Sequence, residues 1–238
     1  EGASLKMRRV LIGTPCHDGK VDCYYAHSAE ETLRLCLQRG IDYRALRICY
    51  DSIIQNARND IVAAAVEHDF DDLIFIDADQ DWNPEWVLKL LSYPVDCVGA
   101  AVRKKTDQEE LYNVRARSGP LSFVPHPSAP ILTTPDMALG CGFLRLSRKA
   151  LLALWETSEP YAVWKSGKKS RWIFDIRPVK GELVGEDTMM SDKLRALGID
   201  TWVDPAMTCG HIGVKKYTGD FAKFLSLLQA AETKTAAE

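Results

Sequence analysis

The chain reads as an α/β domain with a doubly wound, mostly parallel sheet and helices on both faces. Three observations predict this. Over roughly the first hundred of the 238 residues, short apolar runs alternate with stretches of helical period. The run Leu73-Ile74-Phe75-Ile76 is apolar on both sides of its pleat, as a strand covered by helices on both faces must be. It leads straight into Asp77, Asp79 and Asp81, and the carboxyl end of a strand is where open α/β sheets hold their ligands.

The elements follow in order. The segment 7–13 predicts a first strand, with a loop over 14–19 behind it. A helix over 28–38 stops at Gly40, and a second strand spans 43–50. Ser52 and Gln55 are spaced as a capping box for a helix that runs to about His68. After the third strand, Asn83 and Pro84 suit the N-cap and first position of a helix to Leu91. A fourth strand covers 95–102. The pattern then changes to short β-like pieces among several prolines over 103–136. A strand over 141–146 precedes a helix that Ser147 caps and that runs through Trp155. Residues 157–184 are irregular and rich in Trp, Lys, Arg and Gly. A helix over 186–197 is stopped by Gly198, and a strand spans 200–203. The last helix, 217–231, sets Phe221, Phe224, Leu225 and Leu228 at helical spacing. Without repeats or linker composition, 7–231 is expected to be one domain; 1–6 reads as a tag remnant or flexible end with no signal-peptide pattern, and 232–238 as a frayed tail.

Composition narrows the class. Hydrophobic content of 46% and charged content of 26% are those of a soluble globular protein. A formal net charge of −3 gives no global attraction to nucleic acid or anionic membrane, which leaves only local patches for such partners. No apolar run approaches a bilayer span. The seven cysteines form no CxxC pair, and Cys49 and Cys97 lie in apolar runs as small hydrophobes. That pattern argues for a reducing, cytoplasmic setting and against a disulfide framework or structural zinc.

Several residues break the pattern of their own elements. Asp77 and Asp79 share one side of an extended chain, where two carboxylates repel unless a cation or hydrogen-bond donors hold them. Mg2+ and Mn2+ choose such oxygens, usually beside substrate phosphates. Capping accounts for Asn83 and Pro84 and leaves the three aspartates for a metal or ligand site. Arg58 falls on the side of its helix that carries Ile54, Ile61 and Ala65, where its charge costs desolvation unless the side chain snorkels to solvent or meets an anion. That anion is either a structural carboxylate or the diphosphate or carboxylate of a ligand, and Asn59 can supply a polar contact of the same kind. Asp187 opens a stripe that continues through Met190, Ser191 and Leu194, which turns its carboxylate inward at a helix N-terminus. It is either a cap or, supported by Glu186, a general base for an acceptor hydroxyl. His211 sits between Gly210 and Gly213, which allow close backbone approach; it is either structural or the nitrogen ligand of a mixed site with the aspartates.

In this order the motifs resemble those of the GT-A glycosyltransferases that use nucleotide-sugar donors, inverting family 2 in particular. Asp77-Ala78-Asp79 is similar to the DxD motif, Glu186-Asp187 to the ED pair of inverting members, and His211 to the histidine that follows as a further metal ligand. Ala57-Arg58-Asn59, the strand into Asp-Ala-Asp, and Val98-Gly99-Ala100 with Lys104-Lys105 look most like phage and large-virus members. The resemblance spans roughly 8–213 and implies a Rossmann-like GT-A fold, with 7–102 as the nucleotide-sugar half and 103–231 as a catalytic and acceptor half containing a smaller β region. It implies that Thr14, Pro15, Asp51, Arg58, Asn59 and Asp77 meet the donor, a UDP-sugar, and that Asp51 contacts the base. It implies that Asp79, with Asp77 and His211, holds Mn2+ or Mg2+ against the diphosphate, and that Asp187 deprotonates the acceptor in an inverting hexosyl transfer. Where the family commonly has a double Asp followed by Gly-Ser, this chain has Asp51-Ser52, which bears on the choice of base.

The acceptor region is the segment from Trp164 to Trp172. It is either a solvated loop or a nucleic-acid face, in which Lys165, Lys168, Lys169 and Arg171 meet phosphates while Trp164 and Trp172 stack. Arg103, Lys104, Lys105, Arg115 and Arg117 would extend that face. The phage-like resemblance makes a hydroxymethylated pyrimidine in phage DNA a candidate acceptor, beside a saccharide or a protein. A nucleotidyltransferase of related fold and a non-catalytic binding module are the rival readings. A dehalogenase-type phosphatase is disfavoured because its DxD follows the first strand rather than the third.

Overall fold

The structure, a computed structural model, describes residues 7–107, 109–116, 131–132, 137–163 and 167–235. Strand β1 (Arg9–Cys16), helix α1 (Cys23–Gln38), strand β2 (Asp42–Cys49), helix α2 (Ile54–Glu67) and strand β3 (Asp72–Ile76) alternate as the apolar runs predict. β1 pairs in parallel with β2 on one side and β3 on the other. The two-residue strand β4 (Gln80–Asp81), helix α3 (Glu85–Ser92) and strand β5 (Cys97–Val102) follow. Short strands β6 (Val114–Ala116), β7 (Ile131–Leu132) and β8 (Met137–Leu139) then lead to strand β9 (Phe143–Ser147) and helix α4 (Arg148–Thr157). Two small hairpins come next, β10 (Pro160–Ala162) with β11 (Lys169–Arg171) and β12 (Arg177–Val179) with β13 (Glu182–Val184). Helix α5 (Glu186–Ala196), strand β14 (Thr201–Ile212), strand β15 (Lys216–Tyr217) and helix α6 (Phe221–Thr235) complete the chain.

The main sheet runs β15-β14-β5-β9-β3-β1-β2. β5 and β14 are parallel to each other, but β9 lies between β3 and β5 and is antiparallel to both. The sheet is therefore mostly parallel, with β9 reversed near its centre and the short β15 reversed at its edge, in a mixed α/β, Rossmann-like fold. All five residues of β3 are buried. One apolar layer joins Ile61, Phe75, Leu151 and Leu194 under α2, α4 and α5. The opposite layer joins Ile12, Tyr25, Ile74 and Val87 under α1 and α3. Each aliphatic or aromatic side chain so enclosed contributes about 1.5–3 kcal/mol, so the two-sided burial of β3 makes it the anchor of the sheet.

Element ends differ from the sequence expectation for local reasons. α1 starts at Cys23 because Asp22 caps it, its carboxylate accepting from the Tyr24 N–H at 2.9 Å. The Ser52–Gln55 box does not form; Ile53 occupies the N-cap of α2 without a side-chain bond, and Asp51 accepts from the Ile53 N–H at 2.9 Å. α6 begins only at Phe221 because Lys216 and Tyr217 pair with β14. β14 is far longer than the predicted strand. Its register shifts between Asp204 and Thr208, around Pro205, and the strand then continues past β5 until Gly210 and His211 face Asp81 and Gln80. All seven cysteines are unpaired. Among the described residues no helix is long and apolar enough to cross a membrane.

A charged knot at the amino end of β3 ties the sheet to its edges. Asp72, only 1% exposed, accepts from Arg145 Nε of β9 at 2.6 Å and from Arg8 Nε at 2.6 Å. Arg145 also donates to the carbonyls of Val95 and Tyr93 at 2.8 and 3.1 Å. Removing one partner of a buried pair leaves an uncompensated charge. Asp72→Ala should therefore cost about 3–5 kcal/mol, read as a lowered urea midpoint with unchanged slope.

Candidate active site

The carboxyl ends of β1, β2 and β3 open into a cleft of about 690 Å3. Its walls include Pro15, His17 and Asp18 after β1, Asp51 and Ser52 after β2, and Asp77 to Asp79 after β3. The aspartate turn is held from several sides. The Asp77 N–H donates to Gly142 O at 3.0 Å, the Gln80 N–H to Asp77 O at 3.2 Å, and the Ile212 N–H to Asp79 O at 2.7 Å. The Asp22 N–H donates to Ala78 O at 3.1 Å, which ties the start of α1 to the same turn. A side chain at Gly142 would collide with the Gln80 amide and press on Asp77 Oδ2, so only glycine lets β9 enter this closely. The turn at 77–80 also ends the extended geometry, and Asp77 and Asp79 go to different partners.

Asp79 faces His211 and Lys105. His211 Nε2 stands 3.3 Å from Asp79 Oδ2, and the Lys105 ammonium reaches the same oxygen. His211 Nδ1 lies 2.8 Å from the carbonyl oxygen of Arg103. A carbonyl only accepts, so Nδ1 carries the hydrogen and Nε2 turns toward the carboxylate. A neutral imidazole would then set lone pair against lone pair, which calls for a proton or a metal ion between them. Backbone-held Nδ1 with Nε2 outward is the arrangement of metal-ligating histidines. The glycines beside His211 have the predicted use. A side chain at Gly210 would meet Asp81 Oδ1 at 2.5 Å, and one at Gly213 would meet the Lys105 stem at 3.1 Å. Burial by itself raises the Asp79 carboxyl, but hydrogen bonds from His211 and Lys105 outweigh it and hold Asp79 below its ordinary value.

Asp77 faces inward instead, to Arg58. Arg58 is 2% exposed, and its Nη2 donates to Asp77 Oδ1 at 3.2 Å. Its Nη1 donates to Glu186 Oε1 at 3.1 Å and to Asp187 Oδ1. Arg58 thus takes the salt-bridge alternative and has no approach for a diphosphate. Burial disfavours its charge, yet Asp187 and Asp77 outweigh that and raise its pKa. Burial pushes the Asp77 carboxyl up, Arg58 opposes, and Asp187 adds to the rise. Burial and then Asp187 push Glu186 up as well, against Arg58. The inward stripe of α5 is as predicted: Met190, Ser191 and Leu194 are buried, and Asp187 points with them.

The remaining predicted residues divide. Pro15 and Asp51 line the cleft. Thr14 is buried beneath it and hydrogen-bonds Tyr25 OH at 2.6 Å. Asn59 is buried too and clips the backbone of Phe174, donating to its carbonyl at 3.1 Å and accepting from its N–H at 2.8 Å. Both are consumed by the fold rather than presented to a ligand. Of the cationic segment, Trp164 and Lys165 lie outside the described residues, as does Arg117, and the Arg115 side chain is not described. Lys168 reaches Asp60 at 3.5 Å, and Arg171 donates to Ser158 O at 3.2 Å with its guanidinium over Trp155. Lys169 is exposed, and Trp172 stands edge-on to Tyr161 at 5.6 Å. The sequence reading missed Asp22, His17 and Asp18 in the cleft wall, and Asn113 and Gly140, which border a pocket of about 150 Å3 beside Asp187. Asp22 alone had a local signal, as an aspartate able to cap the helix behind it.

The residues present fit a divalent ion. Neighbouring ligands in an octahedral shell with ~2.1 Å bonds stand about 3 Å apart, close to the Asp79–His211 separation. Asp77 does not join them, and among the described residues no group of three His, Cys, Asp or Glu gathers for an ion. The predicted three-residue metal set is thus a pair in the structure, with Asp77 given to Arg58.

Arg58 is the only cation within ion-pair distance of Glu186 and Asp187 among the described residues. Arg58→Met should cost about 3–5 kcal/mol near neutral pH. Asp77 and Glu186 have folded pKa values above their unfolded ones, so the folded state binds more protons in that window and stability falls as pH rises through it. Loss of Arg58 removes the opposing influence and deepens this effect. Urea midpoints at about pH 5 and pH 8 should show a smaller deficit at the lower pH.

Neither a family model nor a curated protein matches the chain. Among solved structures it is similar to A197 from STIV, at 16% identity and a TM-score of 0.51, over 87% of this chain and 86% of that one. It is also similar to a glycosyltransferase involved in the glycosylation of the major capsid of PBCV-1, at 15% identity and a TM-score of 0.34, over 61% of this chain and 62% of that one. The first likeness supports the α/β fold over nearly the whole chain and reaches no further than the fold.

Proposed function

We propose that the protein is a divalent-metal-dependent glycosyltransferase that moves a sugar from a nucleoside diphosphate sugar, a UDP-sugar in the first instance, to an acceptor hydroxyl. The observation that carries this reading is the Asp79–His211 pair, 3.3 Å apart at the carboxyl end of the sheet, with the other histidine nitrogen held by a backbone carbonyl. Bound there, Mn2+ or Mg2+ supplies Lewis-acid stabilisation of the charge that develops on a leaving diphosphate. The cleft that runs from Asp79 to Asp51 is large enough for the nucleoside, and Asp51 offers its carboxylate to hydroxyl or base N–H groups.

Asp187 is the base in this scheme. It borders the pocket formed with Asn113, Gly140, Gly185 and Thr188, where an acceptor hydroxyl can enter. Arg58 and the buried Cys141 thiol orient the Asp187 carboxylate, which takes the proton as the acceptor oxygen attacks the anomeric carbon. Glu186 shares the same guanidinium and fixes the start of α5. Attack from this side, opposite the departing diphosphate, inverts the anomeric centre.

The surroundings of Trp172 favour an uncharged saccharide acceptor over duplex DNA. Lys168 and Arg171 turn onto the protein's own groups, and the neighbouring groove presents Asp51, Asp60, Asn56, Tyr161 and Trp172. Carboxylates and aromatic faces suit sugar hydroxyls and C–H groups and repel a polyanion.

A donor screen with Mn2+, scored by released nucleoside diphosphate, tests the reaction. Acceptor arms should include neutral oligosaccharides, a protein, and unmodified and hydroxymethylated duplex DNA. A further arm with sugar phosphate and nucleoside triphosphate reads pyrophosphate and separates nucleotidyl transfer. Asp79→Ala and His211→Ala should each lower turnover by about 10²–10³-fold. Asp187→Asn should lower transfer by about 10²–10⁴-fold while UDP binding by calorimetry stays near wild type. Undiminished turnover in Asp187→Asn removes it as the base.

A further inference from the structure

Asp79 Oδ2 receives two protein side chains, His211 and Lys105, and the backbone segment that carries Lys105 is held in place. The Lys105 ammonium ends on Asp79 while its stem lies against Gly213, where even a methyl group would press on Lys105 Cδ at 3.1 Å. The segment that carries it is anchored on both sides. The Lys104 N–H donates to Leu111 O at 2.8 Å, the Arg103 carbonyl receives His211, and Lys215 pairs with Asp107. Lys105 and His211 therefore reach one carboxylate oxygen from two segments that also touch each other. His211 presents a nitrogen that can ligate a metal; Lys105 presents a charge that a metal must meet at close range.

We infer that Lys105 is a built-in stand-in for the divalent ion, one that the ion displaces from Asp79 and that then serves as a ligand for the donor diphosphate. The inference rests on the reading of Asp79 and His211 as a metal pair. The physical ground is occupancy and charge. An ammonium and a divalent ion on the same carboxylate oxygen set one positive charge against two. The ion is held by a second ligand, His211, whereas Lys105 is free to rotate about its four-carbon stem. Once moved off Asp79, which lines the cleft, its ammonium would be available to a donor diphosphate held there.

This arrangement predicts opposite effects on two ligands. Lys105→Met should tighten Mn2+ binding to the protein alone, on the order of tenfold, because the competitor is gone. The same variant, saturated with Mn2+, should bind UDP more weakly by a similar factor. Mn2+ affinity can be read from the electron paramagnetic resonance signal of the free ion, and UDP affinity by calorimetry, neither of which depends on turnover. Lys216→Met is the control, since its ammonium sits on Asp81 rather than Asp79. Equal tightening in both variants would show that net charge, not the contact on Asp79, sets the affinity, and would overturn the inference. Unchanged Mn2+ affinity in Lys105→Met would overturn it as well, as would UDP binding that does not weaken. A wild-type protein that takes up no Mn2+ would remove the metal reading itself, a failure distinct from these.

Discussion

The structure depends on one guanidinium surrounded by three carboxylates. Arg58 meets Asp77, 19 residues away in sequence, and Glu186 and Asp187, 128 and 129 residues away. It thereby joins the end of the central strand to the start of the helix that carries the candidate base. Its depth has a cause in the backbone opposite. Gly13 of β1 leaves no room for a side chain against Ile61, so α2 lies close to the sheet and Arg58, one turn before Ile61, is carried down to the strand end. Three negative groups around one positive one leave the cluster short of positive charge, and burial magnifies the shortage. The two carboxyls whose pKa values rise, Asp77 and Glu186, are the measure of it.

That constraint divides two aspartates only two residues apart. Asp77 is pushed up by burial and bound to an arginine that cannot leave, so it is a structural group at the edge of the site. Asp79 is held down by His211 and Lys105, on the side open to the cleft, and stays ionised for a cation. Burial and its partners thus drive two neighbouring carboxyls in opposite directions. The alternation of side chains along a strand would have placed both on one side. The turn that starts with Gln80 bonding back to Asp77 undoes the alternation just where the chemistry begins.

What was legible in the sequence follows from which forces are local. Two-sided burial made β3 readable, because an unbroken apolar run is a statement about both faces at once. The stripe of α5 made the inward aim of Asp187 readable, and the misfit of Arg58 on an apolar face announced an anion, though not which one. The reversed direction of β9 was not readable, since a strand carries no mark of its sense until its neighbours are known. Nor was the reach of β14, which a register shift at Pro205 extends to the aspartate turn. Asn59 and Thr14 look like ligand contacts by position, yet their partners are the Phe174 backbone and Tyr25, each brought in by tertiary packing. Those are long-range facts, and composition and spacing do not encode them.

So acidic a turn can sit at the end of a buried strand because its charges are matched one by one. Each of its three aspartates has a protein cation of its own: Arg58 for Asp77, Lys105 with His211 for Asp79, and Lys216 for Asp81. Arg58 is buried and shared with two other carboxylates, so it is not available for exchange. Lys216 is also held over the ring of Tyr24, which ties it to α1. Of the three, only the pairing at Asp79 combines an exposed carboxylate, a lysine on a flexible stem and a histidine whose free nitrogen can serve as a ligand. The turn is thus balanced within the protein, and its three cations differ in how firmly each is held. What distinguishes the three aspartates is therefore not the acidity they share but the cation each one meets.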